Sequence, residues 1–360
     1  MAKKLLILNG LAILMIPLQH ATAYGLQALF EWTNRYLPVE VPNYDLLGSV
    51  PYHVFIVIRQ ISAFSVPAFL FISGYFISFL AKGMAAKLSW KQVLPRIKGL
   101  IYPFILWTFF RYVLLRQMPT SIDDLLNPYH FIPLLIQFYL IAPLLVWVAK
   151  GNWKALLIVV AILHFAVQAL RYVDGLGFGS PALDQVLNLI PRWILIGQQP
   201  FWFPLGIVFG LYSKEATLRL DRARWKLGVA TVVFLVLSIA EYYVGDFVNG
   251  SAWLGPTNES IFRNFYILTI ILFILSLDEA QFIIPKRLSD LGARSLGIYM
   301  ANIPAIFIVA VLMYNLTPRL LGYQLIYMII LFFAGLFGPL LLMWTVRKTP
   351  ARRYYRYLFG

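Results

Sequence analysis

The sequence predicts an all-α polytopic membrane protein. It reads as a single domain over 1–360, with about ten transmembrane helices, both ends in the cytoplasm and an internal polar cavity. Three observations point there. The 360 residues are 61% hydrophobic and only 12% charged, with mean hydropathy +0.76. A soluble domain is roughly 45–50% apolar and about 25% charged, so this excess needs lipid as its solvent. Apolar runs of membrane-crossing length recur along the chain, and its lysines fall in alternate connections between them.

A crossing needs roughly 20 apolar residues. That ruler gives segments at 5–30, 54–81, 99–115, 130–149, 155–171, 193–212, 227–245, 262–279, 296–314 and 323–346. Between the fifth and sixth, residues 172–192 mix polar and apolar groups with Gly175, Gly177, Gly179 and Pro181. They read as a loop with a re-entrant or interfacial piece. The first segment lacks a small-residue cleavage site and runs into an aromatic-rich extension, unlike a cleaved signal peptide. No 20–50-residue repeat and no soluble domain is present.

Orientation follows from the cations. With ten crossings, 22 of the 30 lysines and arginines, including every lysine, fall on one side. That side is cytoplasmic by the positive-inside rule. It includes Lys3 and Lys4, the stretch Lys82–Lys98 and a basic tail at 347–360. The net charge of +15 therefore describes a basic inner rim and not a nucleic-acid surface. The chain has no cysteine, which excludes disulfides and thiolate metal sites. No His or carboxylate pair has metal-ligand spacing, and no glycine-rich phosphate loop occurs, so no metal is expected.

The polar residues inside the apolar segments are the candidate site. Arg59 lies in the second segment and Arg111 deep in the third. An ionisable group there costs at least roughly 2.5 kcal/mol at the bilayer centre unless it meets water or a partner. They either line a polar cavity or anchor at an interface. Arg192 and Arg263 sit near outer helix ends, where snorkelling suffices. His20 lies about 24 Å along the first segment, past the midplane, after Pro17 and Gln19. Asn9, eleven residues earlier, shares its face about 16 Å away. His20 is either functional or a helix–helix hydrogen-bonding group. His130 opens the fourth segment, followed by Gln137 and Tyr139. His53 reads as interfacial. His164 and Gln168, at i and i+4, read as a local polar pair. Acidic residues are nearly absent from the segments.

Six stretches, in order, resemble the acyltransferase 3 family of integral membrane acyltransferases, covering about 5–345. NGLAILMIPLQHA is similar to the family's first span, which ends in the proposed catalytic His, here His20. FSVPAFLFISGYFIS resembles its second span, with Ser73, Gly74 and Tyr75. LPRIKGLIYPFILW carries the basic pair before the third, Arg96 and Lys98. YHFIPLLIQFYLIAPLL and QPFWFPLGIVFGLY resemble the fourth and sixth. LGARSLGIYMANIP matches a late Ser-x-Gly-x-Tyr motif through Ser295, Gly297 and Tyr299. Two positions depart from the pattern: Asn9 stands where the family usually has Arg, and Asn302 where it usually has His. Asn keeps hydrogen bonding but carries no charge.

The resemblance implies transfer of an acyl group, usually acetyl, from cytoplasmic acyl-CoA to a hydroxyl of an extracytoplasmic glycan or lipid-linked sugar. In that reading Arg96 and Lys98, with Arg59, meet the CoA end. His20 acts as general base or acyl acceptor, with Asn9, Ser73, Tyr75 and Asn302 completing the catalytic set. His130, Gln137, Tyr139, Arg192 and Tyr299 line the acceptor path. Acyl-CoA is a donor substrate, no cofactor is permanently bound, and membrane lipid is the other partner. The expected location is a bacterial plasma membrane. Two other classes remain: a transporter or flippase for a lipid-linked sugar, and a non-catalytic partner subunit of an envelope-polysaccharide complex. Acceptor choice is expected to sit in the outer loops 32–53, 116–129, 172–192 and 246–261.

Overall fold

The computed structural model describes residues 2–29, 48–82, 88–115, 119–126, 129–248 and 260–360. Much of the loops 32–53 and 246–261 lies outside the described residues. The chain folds as α1 (Ala2–Gln27), α2 (Val50–Ile61), α3 (Ser65–Lys82), α4 (Trp90–Leu115), α5 (Ile122–Leu126), α6 (Phe131–Val173) and α7 (Pro181–Leu189). It continues as α8 (Trp202–Leu211), α9 (Ser213–Val248), α10 (Ile261–Ser276), α11 (Pro285–Gly292), α12 (Ser295–Leu316), α13 (Gln324–Lys348) and α14 (Tyr355–Phe359). No strand occurs among the described residues.

Seven of these units are long and apolar enough to cross a membrane: α1, the α2–α3 pair, α4, α6, α9, α12 and α13. The ten sequence segments map onto them unevenly. The fourth and fifth both fall in α6, whose backbone leaves helical geometry at Asn152 (φ −146°, ψ 85°). There the Asn152 side chain accepts a hydrogen bond from the Ala155 amide at 3.0 Å, capping the second arm. The sixth segment is helical only over α8, ten residues or about 15 Å. Its first part, around 190–201, is irregular and includes Gln199 at φ +55°. The eighth, α10, has 16 residues, about 24 Å. The second is interrupted by a 3-10 turn at Ser62–Phe64. Pro67 explains that turn, because its ring removes the amide that would bond the Ala63 carbonyl.

The loop 172–192 contains a π-turn at Asp174–Phe178, with Gly177 at φ +79°. The short α7 follows, capped by Ser180, whose side chain accepts from the Leu183 amide. Residues 350–360 fold back: Phe359 is buried, and the Trp107 indole of α4 donates to the Leu358 carbonyl at 2.8 Å.

Close packing depends on small residues, as expected where lipid tails compete with every apolar contact. α3 and α8 run side by side. A Cβ on Gly74 would stand 2.1 Å from the Phe203 carbonyl oxygen, and one on Gly206 2.0 Å from that of Phe71. Gly206 and Gly210 of α8 face Phe71, Tyr75 and Ser78 of α3, so the backbones nearly touch. Similarly, Gly10 of α1 abuts the Leu288 carbonyl of α11, and Gly292 abuts that of Leu6. At one end of the bundle Lys3 pairs with Glu279, while Lys4 and Arg224 both reach Asp278, at 3.5 and 3.0 Å. Arg224 first, then Lys4, holds the Asp278 carboxyl below its ordinary range.

Gly206→Val tests this packing. It forces α3 and α8 apart, at a cost of about 1–3 kcal/mol or more. The expected result is a melting temperature lower by several degrees in detergent. Gly322→Ala, where no atom lies within 4 Å of the new Cβ, leaves it unchanged.

Candidate active site

Three consecutive motif residues on α3 face three different neighbours, because successive helical side chains diverge by about 100°. Ser73 hydrogen-bonds the Tyr139 hydroxyl of α6. Gly74 admits the Phe203 carbonyl of α8. Tyr75 is buried, hydrogen-bonds Ser213 at the start of α9 and packs edge-on against Phe79. Only Ser73 of the three therefore belongs to the candidate site.

The basic pair also separates. Residues two apart on a helix do not share a face. Arg96 turns into the bundle and hydrogen-bonds Tyr139, so Arg96, Tyr139 and Ser73 form one polar cluster joining α4, α6 and α3. The buried Tyr139 ring rests against Phe203 in the first turn of α8, with centroids 5.9 Å apart. That turn has no side-chain cap. Lys98 is exposed on the opposite face of α4.

A second cluster surrounds His20. The imidazole is partly buried and lies within electrostatic reach of His130, which immediately precedes α6. Among the described residues no group hydrogen-bonds the His20 ring. Its neighbour Gln19 donates to the Ser62 carbonyl at 2.9 Å and so fixes α1 against the broken second span. Arg111 acts electrostatically on Tyr24 and Tyr129, and pairs with Asp124 at 3.9 Å. Along α6, His130 and Tyr139 are nine residues apart, about 14 Å. The helix thus links the two clusters.

The remaining expected site residues have other surroundings. Asn9 donates to the Gly292 carbonyl at 2.6 Å and to the Ser295 hydroxyl at 3.0 Å, joining α1 to the end of α11 and the start of α12. Asn302 is fully buried, and its amide nitrogen bonds the Ile298 and Tyr299 carbonyls of its own helix. The Tyr299 ring packs on Tyr129 and Phe131, and the Tyr129 hydroxyl donates to the Met300 carbonyl at 2.8 Å. Arg59 faces Tyr242 of α9 and is not part of the Arg96 cluster. Fourteen residues separate it from Ser73 across the 3-10 turn, about 21 Å at helical rise. Arg192 is exposed after α7.

Gln137 has a role its position alone did not reveal. Its amide nitrogen donates to the Trp193 carbonyl at 2.6 Å, and its oxygen accepts from the Leu195 amide at 3.0 Å. One side chain thereby satisfies the irregular strand of chain that leads into α8. Glu241 also escaped the sequence reading. It lies in α9, inside the seventh segment, and its two oxygens accept the Ile261 and Phe262 amides that open α10, at 2.8 and 2.9 Å. His164 bonds not Gln168 on its own helix but Asn264 of α10, at 3.0 Å. His53 bonds Tyr243 at 2.5 Å. Among the described residues no three His or carboxylate groups gather into a metal-binding set.

Gln137→Leu strands both backbone groups, at about 1–3 kcal/mol for each buried unsatisfied group. The expected outcome is a clear loss of thermal stability in detergent. Gln137→Glu retains the acceptor and loses the donor, and should fall between the leucine variant and the parent.

No curated protein and no solved structure matches the chain. The acyltransferase-domain profile matches residues 6–347, from the first turn of α1 to the end of α13. That span contains His20, the Ser73–Tyr139–Arg96 cluster and the late motif on α12, so the chain belongs to the acyltransferase 3 family of membrane acyltransferases.

Proposed function

We propose that the protein moves an acyl group, usually acetyl in this family, from acyl-CoA on its lysine-rich, cytoplasmic side to a hydroxyl of an extracytoplasmic glycan or lipid-linked sugar. The proposed setting is a bacterial plasma membrane crossed ten times, with α8 and α10 as the shorter crossings. The observation that carries the reading is the pair of polar clusters met by α6, with His20 in electrostatic reach of His130 at one end and Arg96–Tyr139–Ser73 further along.

In this reading a ring nitrogen of His20 takes the proton of the acceptor hydroxyl as its oxygen attacks the thioester carbonyl. The carbonyl π electrons move to oxygen, and the tetrahedral adduct then expels the CoA thiolate. The proton on His20 passes to that sulfur, leaving an ester and free CoA. Arg96 supplies a fixed positive charge on the donor side, and the Tyr139 and Ser73 hydroxyls, bonded to one another, hold the adjoining polar surface. The ring of His20 has no hydrogen-bond partner among the described residues, so it is available to a hydroxyl arriving between α1 and α6. Asn9 serves as a fixed joint between α1, α11 and α12, and Asn302 bonds carbonyls of its own helix; neither acts as a proton carrier.

The test is CoA-thiol release and acceptor acylation in membranes. His20→Ala should lower transfer at least 100-fold, the scale of a lost general base, with unchanged expression and melting. Tyr139→Phe should lower it less, by removing the link between Ser73 and Arg96. Full activity in His20→Ala overturns the role of that residue. A transporter reading draws on the interrupted second span, since discontinuous helices mark transporter sites. It requires sugar movement without CoA consumption, which the same assay separates.

A further inference from the structure

Lys98, parted from Arg96, faces a different feature. Between α4 and the folded-back C-terminal segment lies a cleft of about 480 Å³, whose lining includes Lys91, Lys98, Tyr102, Arg356 and Tyr357. Lys91, Lys98 and Tyr102 stand at i, i+7 and i+11, one stripe of α4. Further along, the stripe becomes purely apolar and stays exposed through Ile105, Phe109 and Val113. In a membrane protein such a stripe meets lipid chains. The opposite wall is firmly held: Phe359 is buried, Tyr357 packs edge-on to Tyr102 with centroids 5.4 Å apart, and Trp107 bonds the Leu358 carbonyl.

The charge in this cleft is uncompensated. Lys3, Lys4, Arg111 and Arg224 all have carboxylate partners. Among the described residues none pairs with Lys91, Lys98 or Arg356. Three cations around one opening repel each other and attract a multivalent or multi-oxygen anion, for which phosphate is the matching chemistry. Basic pockets between membrane helices at the lysine-rich face are sites for anionic lipid head groups. We propose that the cleft binds the phosphate of an anionic phospholipid, with its acyl chains lying along the Ile105–Val113 stripe of α4. The same chemistry occurs in free phosphate and in the nucleotide end of a CoA donor. The lipid is favoured because the cleft opens directly onto the lipid-facing stripe, and because Arg96 points away from it.

The full-length protein, purified in neutral detergent, is titrated with phosphatidylglycerol, phosphatidylcholine, CoA and inorganic phosphate, with bound species read by native mass spectrometry. Phosphatidylglycerol should bind at least tenfold tighter than phosphatidylcholine. The variant Lys91→Gln/Lys98→Gln/Arg356→Gln should lose at least tenfold of that affinity, and Lys98→Arg should keep it. If the triple variant does not purify as a folded protein, the exposed single substitution Lys91→Gln gives the same reading with a smaller, severalfold loss. Unchanged phosphatidylglycerol affinity in a folded variant overturns the proposal. So does displacement of the lipid by CoA or inorganic phosphate at equal concentration, which would reassign the cleft to a soluble phosphate.

Discussion

Hydrocarbon offers no hydrogen-bond partner, so every interruption of a helix in this bundle needs some protein group to take over the exposed backbone. Side-chain amides and one carboxylate do this repeatedly. Gln19 reaches the Ser62 carbonyl where the second span breaks. Gln137 satisfies a carbonyl and an amide of the chain entering α8. Asn9 takes the last carbonyl of α11, and Glu241 takes the first amides of α10. Each is a long-range contact, so the same bonds that repair the backbone also fix which helices are neighbours. A carboxylate at the start of α10 is further favoured by the positive end of the helix dipole.

Two of these repairs, by Gln19 and Gln137, adjoin the candidate site. The break beside Ser62 lies next to Gln19 and hence next to His20. The irregular approach to α8 ends where Tyr139 meets Phe203. Backbone that departs from helix at membrane depth is tolerated where it is buried in protein or lines a polar space. The broken second span and the irregular approach to α8 are therefore the two departures that approach the polar clusters. α6 ties them together, because one helix supplies Gln137 and Tyr139 and its leading residue is His130.

The short motifs gain meaning when each residue is followed to its neighbour. Ser73, Gly74 and Tyr75 are adjacent in sequence but serve α6, α8 and the start of α9 separately. Arg96 and Lys98 likewise divide, one into the bundle and one to the exposed face of α4. The Ser295–Gly297–Tyr299 motif anchors α12 to α1, to Met343 and Phe359, and to Phe131. A motif of this kind is largely a record of close packing, with adjacent residues serving different neighbours.

Composition and the spacing of apolar runs were enough to determine an all-helical membrane protein, because the solvent, not the partners, sets that pattern. Six ordered motifs identified the family and offered His20, Ser73, Tyr139 and Arg96 as candidate site residues, together with Asn9, Tyr75 and Asn302, which the structure places among other neighbours. Counting apolar residues alone did not reveal that α8 is only ten residues long, although Gly197, Gln198, Gln199 and Pro200 interrupt the segment just before it. Nor did it show that Asn9 is a joint between α1 and α12, or that His164 pairs with Asn264 and not with Gln168. Each of those outcomes depends on a partner about 60 to almost 290 residues away. Local periodicity says which face of a helix is polar; only the tertiary arrangement decides what that face meets.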